Sequence, residues 1–131
     1  MKKTQASKAE PNEDKSYGAT LAKATAEMMV LFLLRKKQMY TYEMASEIEK
    51  LSNARLSFPT LYNTIYKLKS SGLVEESGKV VSDDNRVRVY FSITEKGHVQ
   101  FESMVNDYFR VVGIVSEILK TEGLFHMEEN K

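Results

Sequence analysis

The hydrophobic period of the chain changes at Gly72, and this change most restricts the folds that the chain can adopt. Before Gly72, apolar side chains recur at the three- and four-residue spacing of helices. After it, the segment "RVRVYFSI" alternates apolar and polar side chains, as a half-buried strand does. The inward set is Val87, Val89, Phe91 and Ile93, and the outward set is Arg86, Arg88, Tyr90 and Ser92. The pattern predicts a mostly α fold with a small β-hairpin.

Three helices are predicted before the hairpin. The first covers residues 20 to about 38, where Ala, Leu and Met are frequent and Gly and Pro are absent. The second follows with Thr41 as its N-cap, and the third has Ser57 as its cap and Pro59 in its first turn. Gly72 is well placed to end the third helix.

The hairpin and a long last helix complete the predicted order. "LVEESGKVV" predicts a second strand and "SDDN" a turn, and Thr94 is suited to cap the last helix. An apolar stripe follows that helix: Phe101, Val105, Tyr108, Val112, Val115 and Leu119, widened by Met104, Val111 and Ile118. The stripe predicts a dimer interface between two copies of the chain. The alternative is a monomer in which the first helix covers the stripe.

These elements predict one domain within the 131 residues. Their order is that of a winged helix-turn-helix with an added association helix. We expect a mobile tail over residues 1–17, the winged helix-turn-helix over 18–97, a dimerisation helix over 98–123 and a loose end over 124–131. The same architecture also serves modules that do not bind DNA, so it does not settle the function.

Composition argues against several function classes. The chain has no Cys and two distant His residues, so no disulfide, metal site or cofactor is expected. Its longest unbroken apolar run, Met28 to Leu34, is too short to span a bilayer, which favours a cytoplasmic protein without a membrane partner. Glu43 has no second acid, nucleophile or histidine beside it, so an enzyme is not expected.

The charge is unevenly distributed along the chain. Residues 1–72 hold 12 Lys and Arg against 7 Asp and Glu, a balance of +5, whereas residues 73–131 hold 7 against 11, a balance of −4. A protein that binds a polyanion needs positive charge only on the face that meets it, so the asymmetry is compatible with DNA binding.

The third predicted helix and the hairpin carry the candidate DNA contacts. Leu61, Ile65 and Leu68 form a narrow apolar edge on that helix, which leaves its polar side chains outward. Asn and Lys suit base edges, and Tyr hydroxyls suit phosphates. The candidates are Thr60, Tyr62, Asn63, Tyr66 and Lys67 on the helix, and Lys79, Arg86 and Arg88 on the hairpin. The alternatives are an ordinary amphipathic surface helix and a charged strand edge, and Asp83 and Asp84 at the turn would repel a phosphate.

Three separated segments resemble one protein family in order and spacing. They are "YTYEMASEI" at Tyr40–Ile48, "TLYNTIYKLKSSGLVE" at Thr60–Glu75 and "RVYFSITEKG" at Arg88–Gly97. They are similar to the signature segments of the PadR-type bacterial transcriptional regulators, whose usual forms are close to YGYEL, TLYPALxRLExxGLI and RxYYxLTxxG. The chain departs from these forms at Asn63, where the family usually has proline, and at Phe58-Pro59. The single helix after Gly97 resembles the short branch of the family.

The resemblance implies a homodimeric winged-helix repressor whose third helix enters the major groove of double-stranded DNA. It also implies a hydrophobic or aromatic effector bound near the dimer interface, for which Phe101, Met104, Val105 and Tyr108 are the candidates. The alternative for these four residues is plain core packing. The alternative for the whole protein is a winged-helix protein-interaction module that does not bind DNA.

Overall fold

The computed structural model describes residues 16–125, and within them the chain forms five helices and three strands. In chain order these are α1 Tyr17–Ala24, α2 Ala26–Leu34, β1 Met39–Tyr40, α3 Thr41–Leu51, α4 Leu61–Ser70, β2 Val74–Val81, β3 Val87–Ile93 and α5 Glu95–Lys120. The predicted mostly α fold with a small sheet is confirmed. Most of the predicted N-terminal tail lies outside the described residues, but Ser16 already caps α1 through its hydroxyl.

The core lies where α2, α3 and α4 meet the sheet. Its buried side chains are Val30, Leu31, Leu33, Leu34, Met39, Met44, Ile48, Leu61, Ile65, Leu68, Leu73, Val74 and Phe91. The predicted apolar edge of α4 is confirmed, because all three of its members are in this set. Burial of a large aliphatic side chain contributes roughly 1.5–3 kcal/mol, so this edge fixes how α4 is rotated about its own axis.

The first predicted helix is wrong as one continuous element. Thr25 separates α1 from α2: its hydroxyl donates to the carbonyl oxygen of Ala22 at 2.7 Å, and its N–H donates to the same oxygen at 2.9 Å. Such local bonds compete with the regular helical ladder and tighten the turn. The helix also ends at Leu34 rather than near Gln38, so the basic cluster 35–37 lies in the following turn.

Two predicted helix starts are also displaced. Tyr40, not Thr41, occupies the N-cap position of α3, and its N–H donates to the Glu43 carboxylate at 3.3 Å. Thr60, not Ser57, occupies the N-cap position of α4. The Leu61 N–H donates to the Phe58 carbonyl oxygen at 3.1 Å, so residues 58–61 form a turn before the helix. Pro59 therefore lies in the turn before α4 rather than in its first helical turn.

The sheet contains a strand that the sequence did not predict. Its order is β1-β3-β2 and both pairings are antiparallel, with Met39 opposite Phe91 and a bulge between Glu76 and Gly78. β1 has only two residues, too few for alternation to be visible in the sequence. Met39 is buried, so this short strand joins the start of α3 to the sheet.

The predicted alternation of β3 holds only near the body of the domain. Phe91 is fully buried, but Val87 is 61% exposed. β2 and β3 extend past α4 there, and no described element covers the distal end of the hairpin. The hairpin therefore projects as a wing, which we define as residues 79–88.

α5 begins where predicted, with Thr94 as its N-cap. The Thr94 hydroxyl accepts from the Gly97 N–H at 3.0 Å and donates to the Gly72 carbonyl oxygen at 2.8 Å, so one side chain caps α5 and links it to the end of α4. The expected boundary between residues 97 and 98 lies inside α5, which continues without interruption to Lys120. Of the expected loose end, residues 124–125 have no regular structure, and 126–131 lie outside the described residues.

Tyr17–Leu34 is a stretch of 18 residues with mean hydropathy 1.3, long and apolar enough to cross a membrane by composition alone. It spans two helices, and five residues of α2 within it are buried in the core. Because core helices of proteins without membrane spans pass the same test, the stretch is weak evidence for a span.

Substitution of Gly97 tests the close contact between α5 and Leu73, the residue before β2. A methyl group at Gly97 would overlap the Leu73 carbonyl oxygen and approach Ile93 Cγ1 to 2.7 Å, whereas one at Gly113 would meet no atom within 4 Å. We expect Gly97→Ala to lower the free energy of unfolding by about 1–3 kcal/mol, because the backbone must move. Gly113→Ala is the matched control and should raise it by roughly 0.5–1 kcal/mol, since alanine favours a helix interior. Urea unfolding at one fixed protein concentration measures both, and equal effects would contradict the assigned contact.

Candidate nucleic-acid interface

The outward face of α4 is the centre of the candidate site. Because Leu61, Ile65 and Leu68 are buried, the helix turns Asn63 and Lys67 toward solvent, and Tyr62 is 58% exposed. These are side chains that can reach base edges and phosphates. Thr60 is exposed at the helix start and makes no side-chain capping bond.

A tight turn sets α4 against α3. Asn53 and Ala54 both adopt positive φ angles, 54° and 62°, and the Ala54 N–H donates to the Glu49 carbonyl oxygen at 2.7 Å. The Ser52 hydroxyl accepts from the Leu56 N–H at 3.0 Å and holds the outgoing chain. α3, this turn and α4 together form a helix-turn-helix.

Aromatic side chains connect α4 to the sheet. The rings of Tyr62 and Tyr66 are 4.7 Å apart, and Tyr66 meets Phe91 edge to face at 5.9 Å. The Lys69 ammonium lies 5.3 Å from the centre of the Tyr66 ring. The Tyr62 side chain, as a hydrogen-bond partner, raises the pKa of Tyr66, and burial raises it further. Tyr66 is thus both a packing residue and a part of the outward face.

The two arginines of the wing differ in the exposed fraction of their side chains. Arg88 lies over the Tyr40 ring at 4.6 Å, Tyr40 meets Tyr90 at 5.3 Å, and the Arg88 side chain is only 24% exposed. The Arg86 side chain is 72% exposed. Arg88 therefore helps to tie the wing to β1, and Arg86 is the freer of the two.

The strand register separates Lys79 from these arginines. Lys79 pairs with Val89, whereas Arg88 pairs with Val80. Since directly opposite residues share a face and neighbours alternate, Lys79 and Arg88 lie on opposite faces of the hairpin. The sequence names Lys79, Arg86 and Arg88 as candidates on the hairpin but does not show which face each occupies, because neither the bulge nor the register can be read from it.

Carboxylates lie beside most of the basic candidates. Lys67 Nζ is 3.2 Å from a Glu27 oxygen, and Lys69 Nζ is 2.8 Å from a Glu76 oxygen. On the wing, Asp84 lies 3.6 Å from Arg86 Nε and 3.9 Å from Arg88 Nη2. Sequence reasoning missed Glu27 and Glu76, and no local signal identifies them, because their partners come from other elements.

The four effector candidates have different surroundings within residues 16–125. Phe101 and Val105 line a groove of 330 Å³ together with Arg35, His98, Glu102 and Asn106. Met104 packs against the core, and Tyr108 meets Phe109 at 5.1 Å. Within residues 16–125, no group of three or more His, Asp or Glu side chains could hold a metal ion.

The helix-turn-helix, the outward polar face of α4 and the projecting hairpin define a winged-helix fold, and together with the family match below they place the chain among transcriptional regulators. The sequence profile of the "Transcriptional regulator PadR-like family" matches residues 30–103, more than half of the chain. The chain belongs to the PadR-like family. This is a family of transcription regulators and not of enzymes.

Solved structures support the same assignment of the fold. A transcriptional regulator from Clostridium thermocellum is 17% identical with a TM-score of 0.68, over 82% of this chain and 100% of that one. A PadR family regulator from Eggerthella lenta is 23% identical with a TM-score of 0.66, over 78% and 88%. A PadR-like regulator from Bacillus cereus is 23% identical with a TM-score of 0.62, over 77% and 97%. No curated protein sequence matches the chain.

The raised pKa of Tyr66 gives a test of the aromatic contact on α4. A phenol whose pKa is raised on folding stabilises the fold below its unfolded pKa, and this contribution is lost as pH rises through the folded pKa. We expect phenolate absorbance to show one late-titrating tyrosine that shifts to lower pH in Tyr62→Phe. Tyr42→Phe, at an exposed tyrosine on α3, is the control and should leave that titration in place. An unchanged titration in Tyr62→Phe would exclude the contact.

Proposed function

We propose that the protein is a homodimeric, cytoplasmic transcriptional repressor that binds a palindromic operator. The observation that carries this proposal is the rotation of α4, which buries its leucine and isoleucine edge and presents Asn63 and Lys67 on the opposite side. An α-helix fits the major groove of B-form DNA, where each base pair presents a distinct pattern of donors and acceptors.

The outward residues have different proposed roles. Asn63 is suited to bond an adenine edge, and Lys67 a guanine or a phosphate. The hydroxyls of Thr60, Tyr62 and Tyr66 are suited to backbone or base contacts at the rim of the helix. On the wing, Arg86 is the better candidate for a phosphate, while Arg88 acts first through its stacking on Tyr40. Lys79 would reach DNA from the α4 side of the hairpin.

The exposed half of α5 supports the dimer. Of the predicted stripe, Phe101 and Val105 are half-buried, but Tyr108, Val112, Val115 and Leu119 are exposed, as are Val111 and Ile118. The alternative in which the first helix covers the stripe within one chain is less well supported, because Phe32 of α2 packs on Phe101 while the stripe from Tyr108 to Leu119 stays exposed. A face this apolar requires cover, and an isologous contact with a second copy would provide it.

The dimer proposal predicts a face-dependent effect of charge on α5. Val112→Glu would place a carboxylate in the proposed interface, so light scattering at micromolar concentration should show the mass halved. Val99→Glu is the control. Val99 is 66% exposed and lies roughly on the side of α5 opposite to Val112, so the Val99→Glu protein should remain a dimer. A monomeric wild-type protein at that concentration would disprove the proposal. In a dimer, the two α4 helices should sit roughly 34–36 Å apart, one turn of DNA.

If Asn63 contacts base edges, its removal should lower the affinity for the operator and not the affinity for random DNA. Asn63→Ala should cost about 1–3 kcal/mol of binding on the operator and relax its sequence preference. Arg86→Ala should weaken operator and random DNA alike and make the salt dependence shallower, as loss of a phosphate contact does. Equal losses on both DNAs for Asn63→Ala would show that this residue does not read bases.

Selection of genomic fragments with the purified protein, followed by footprinting, tests the whole function and identifies the operator. The rival function is a winged-helix protein-interaction module. The observation in its favour is that the basic side chains of α4 and the wing have carboxylate partners, which lowers the positive potential of the face. Failure to recover any fragment, at low salt as well, would favour the rival.

Release by a small hydrophobic or aromatic effector is the last part of the proposal. Phe101 and Val105 at the groove could meet Met104 and Tyr108 across a dimer interface, where flexible and amphipathic side chains line a cavity well. An effector acts only if it prefers the DNA-incompetent arrangement of the two α4 helices, since equal affinity shifts no equilibrium.

The effector proposal predicts a shift in melting temperature with phenolic acids or hydrophobic drugs. The shift should shrink when operator is present, because the two ligands favour different states. Phe101→Ala should abolish it, whereas Val99→Ala should not. If compounds bind but leave operator affinity unchanged, the proposed release by an effector is wrong.

A further inference from the structure

We propose that Glu27, Glu76 and Asp84 compete with DNA phosphates for the basic side chains of the interface, and that they keep the affinity of the protein for random DNA low. This inference rests on the proposed function, because it assumes that α4 and the wing meet DNA. The three carboxylates would thereby limit the affinity of the protein for the phosphate backbone, which does not depend on base sequence.

The three carboxylates come from three different parts of the fold, and each lies beside a basic side chain of α4 or the wing. Glu27 lies in the first turn of α2 and bonds Lys67 of α4. Glu76 lies on β2 and bonds Lys69 of α4. Asp84 lies in the hairpin turn. Its carboxylate faces Arg86, which precedes β3, and Arg88, which lies on β3. Almost every cation that α4 and the wing could offer to a phosphate therefore already has an anionic neighbour.

The geometry on the wing is held from several sides. The Ser82 hydroxyl donates to Asp84 Oδ1, and Asp84 Oδ2 faces Arg86 and Arg88. The Ser82 hydroxyl is also within 3.2 Å of the Arg86 carbonyl oxygen, and the Asn85 N–H donates to the Ser82 carbonyl oxygen at 2.9 Å. These bonds fix the turn so that Asp84 points back along the wing toward the arginines.

Two of the carboxylates, Glu76 and Asp84, are held in their ionised form by neighbouring groups. The Lys69 ammonium, through a hydrogen bond, lowers the pKa of Glu76, and nearby Lys79 lowers it slightly further. The Ser82 hydroxyl is the main cause that lowers the pKa of Asp84, with the two arginines adding to it. Both groups therefore carry a full negative charge where the protein would meet DNA.

A paired cation contributes less to DNA binding than a free one. When a free lysine contacts a phosphate, a condensed counterion is released from the DNA, and this release drives non-specific binding. When the lysine must first leave a carboxylate, that carboxylate is left to attract a counterion from solution. The net release is smaller than for a free cation, so the contact adds less affinity and less salt dependence.

The test uses neutral, nearly isosteric replacements in the full chain. Glu27→Gln and Asp84→Asn each remove one competitor, and Asp107→Asn is the matched control, because Asp107 pairs with Arg110 at 3.4 Å on α5, away from α4 and the wing. Affinity for a random-sequence duplex is measured over a range of salt concentrations. Unfolding curves confirm that each variant folds as the wild type does.

Each interface variant should bind random DNA about 2- to 5-fold more tightly at low salt, the range expected for an exposed ion pair. The plot of log affinity against log salt should become steeper, by up to about 0.9 for each carboxylate removed and by up to about twice that in the double variant. Asp107→Asn should match the wild type in both measurements.

The outcomes separate this inference from the proposed function. If the wild type binds a selected operator but Glu27→Gln and Asp84→Asn change neither the affinity nor the slope on random DNA, the competition is disproved and the repressor function stands. If Asp107→Asn has the same effect as the interface variants, the effect is one of net charge and the competition is again disproved. If no form of the protein binds any DNA, the proposed function fails, and this inference fails with it.

Discussion

The structure depends above all on the burial of the Leu61, Ile65 and Leu68 edge of α4 against α2 and the sheet. These three side chains occupy the same core as Leu31 and Phe91. A helix with one narrow buried edge has a single stable rotation, because a turn of one residue would bury a polar side chain without partners. The outward position of Asn63 follows from this constraint, so the core of the domain determines the chemistry of its surface.

A second contact joins this core to the association helix. Thr94 caps α5 and bonds the backbone after α4, and Gly97 allows α5 to approach the Leu73 carbonyl oxygen closely. The exposed stripe of α5 therefore begins at a fixed distance and direction from α4. If two chains pair through that stripe, the spacing of the two α4 helices is determined by the rigidity of this junction. An effector that alters the pairing would act on DNA binding through the same junction.

Much of the fold could be predicted because its signals are local. The apolar edge of α4, the Thr94 cap, the glycine after α4 and the alternation around Phe91 each depend on residues close together in sequence. The errors arose where a distant contact outweighed a local preference. β1 is two residues long and exists because Met39 and Tyr40 pair with β3. The α1–α2 break depends on the side-chain bond of Thr25 to Ala22. Because threonine also occurs inside continuous helices, its presence in the sequence did not predict the break.

The sequence by itself determined the order of the longer elements, without β1 and the α1–α2 break, and it determined the buried edge of α4 and the apolar stripe of α5, because periodicity depends only on spacing along one chain. It also carried the three motifs that identify the PadR-like family. Only the tertiary structure decided which charges meet. Lys67 faces Glu27 from a helix 40 residues away in sequence, Lys79 and Arg88 lie on opposite faces of the wing, and Arg88 stacks on Tyr40. Electrostatic contacts depend on distances of a few ångströms between elements, and these distances are set by packing and strand register, which no local pattern encodes.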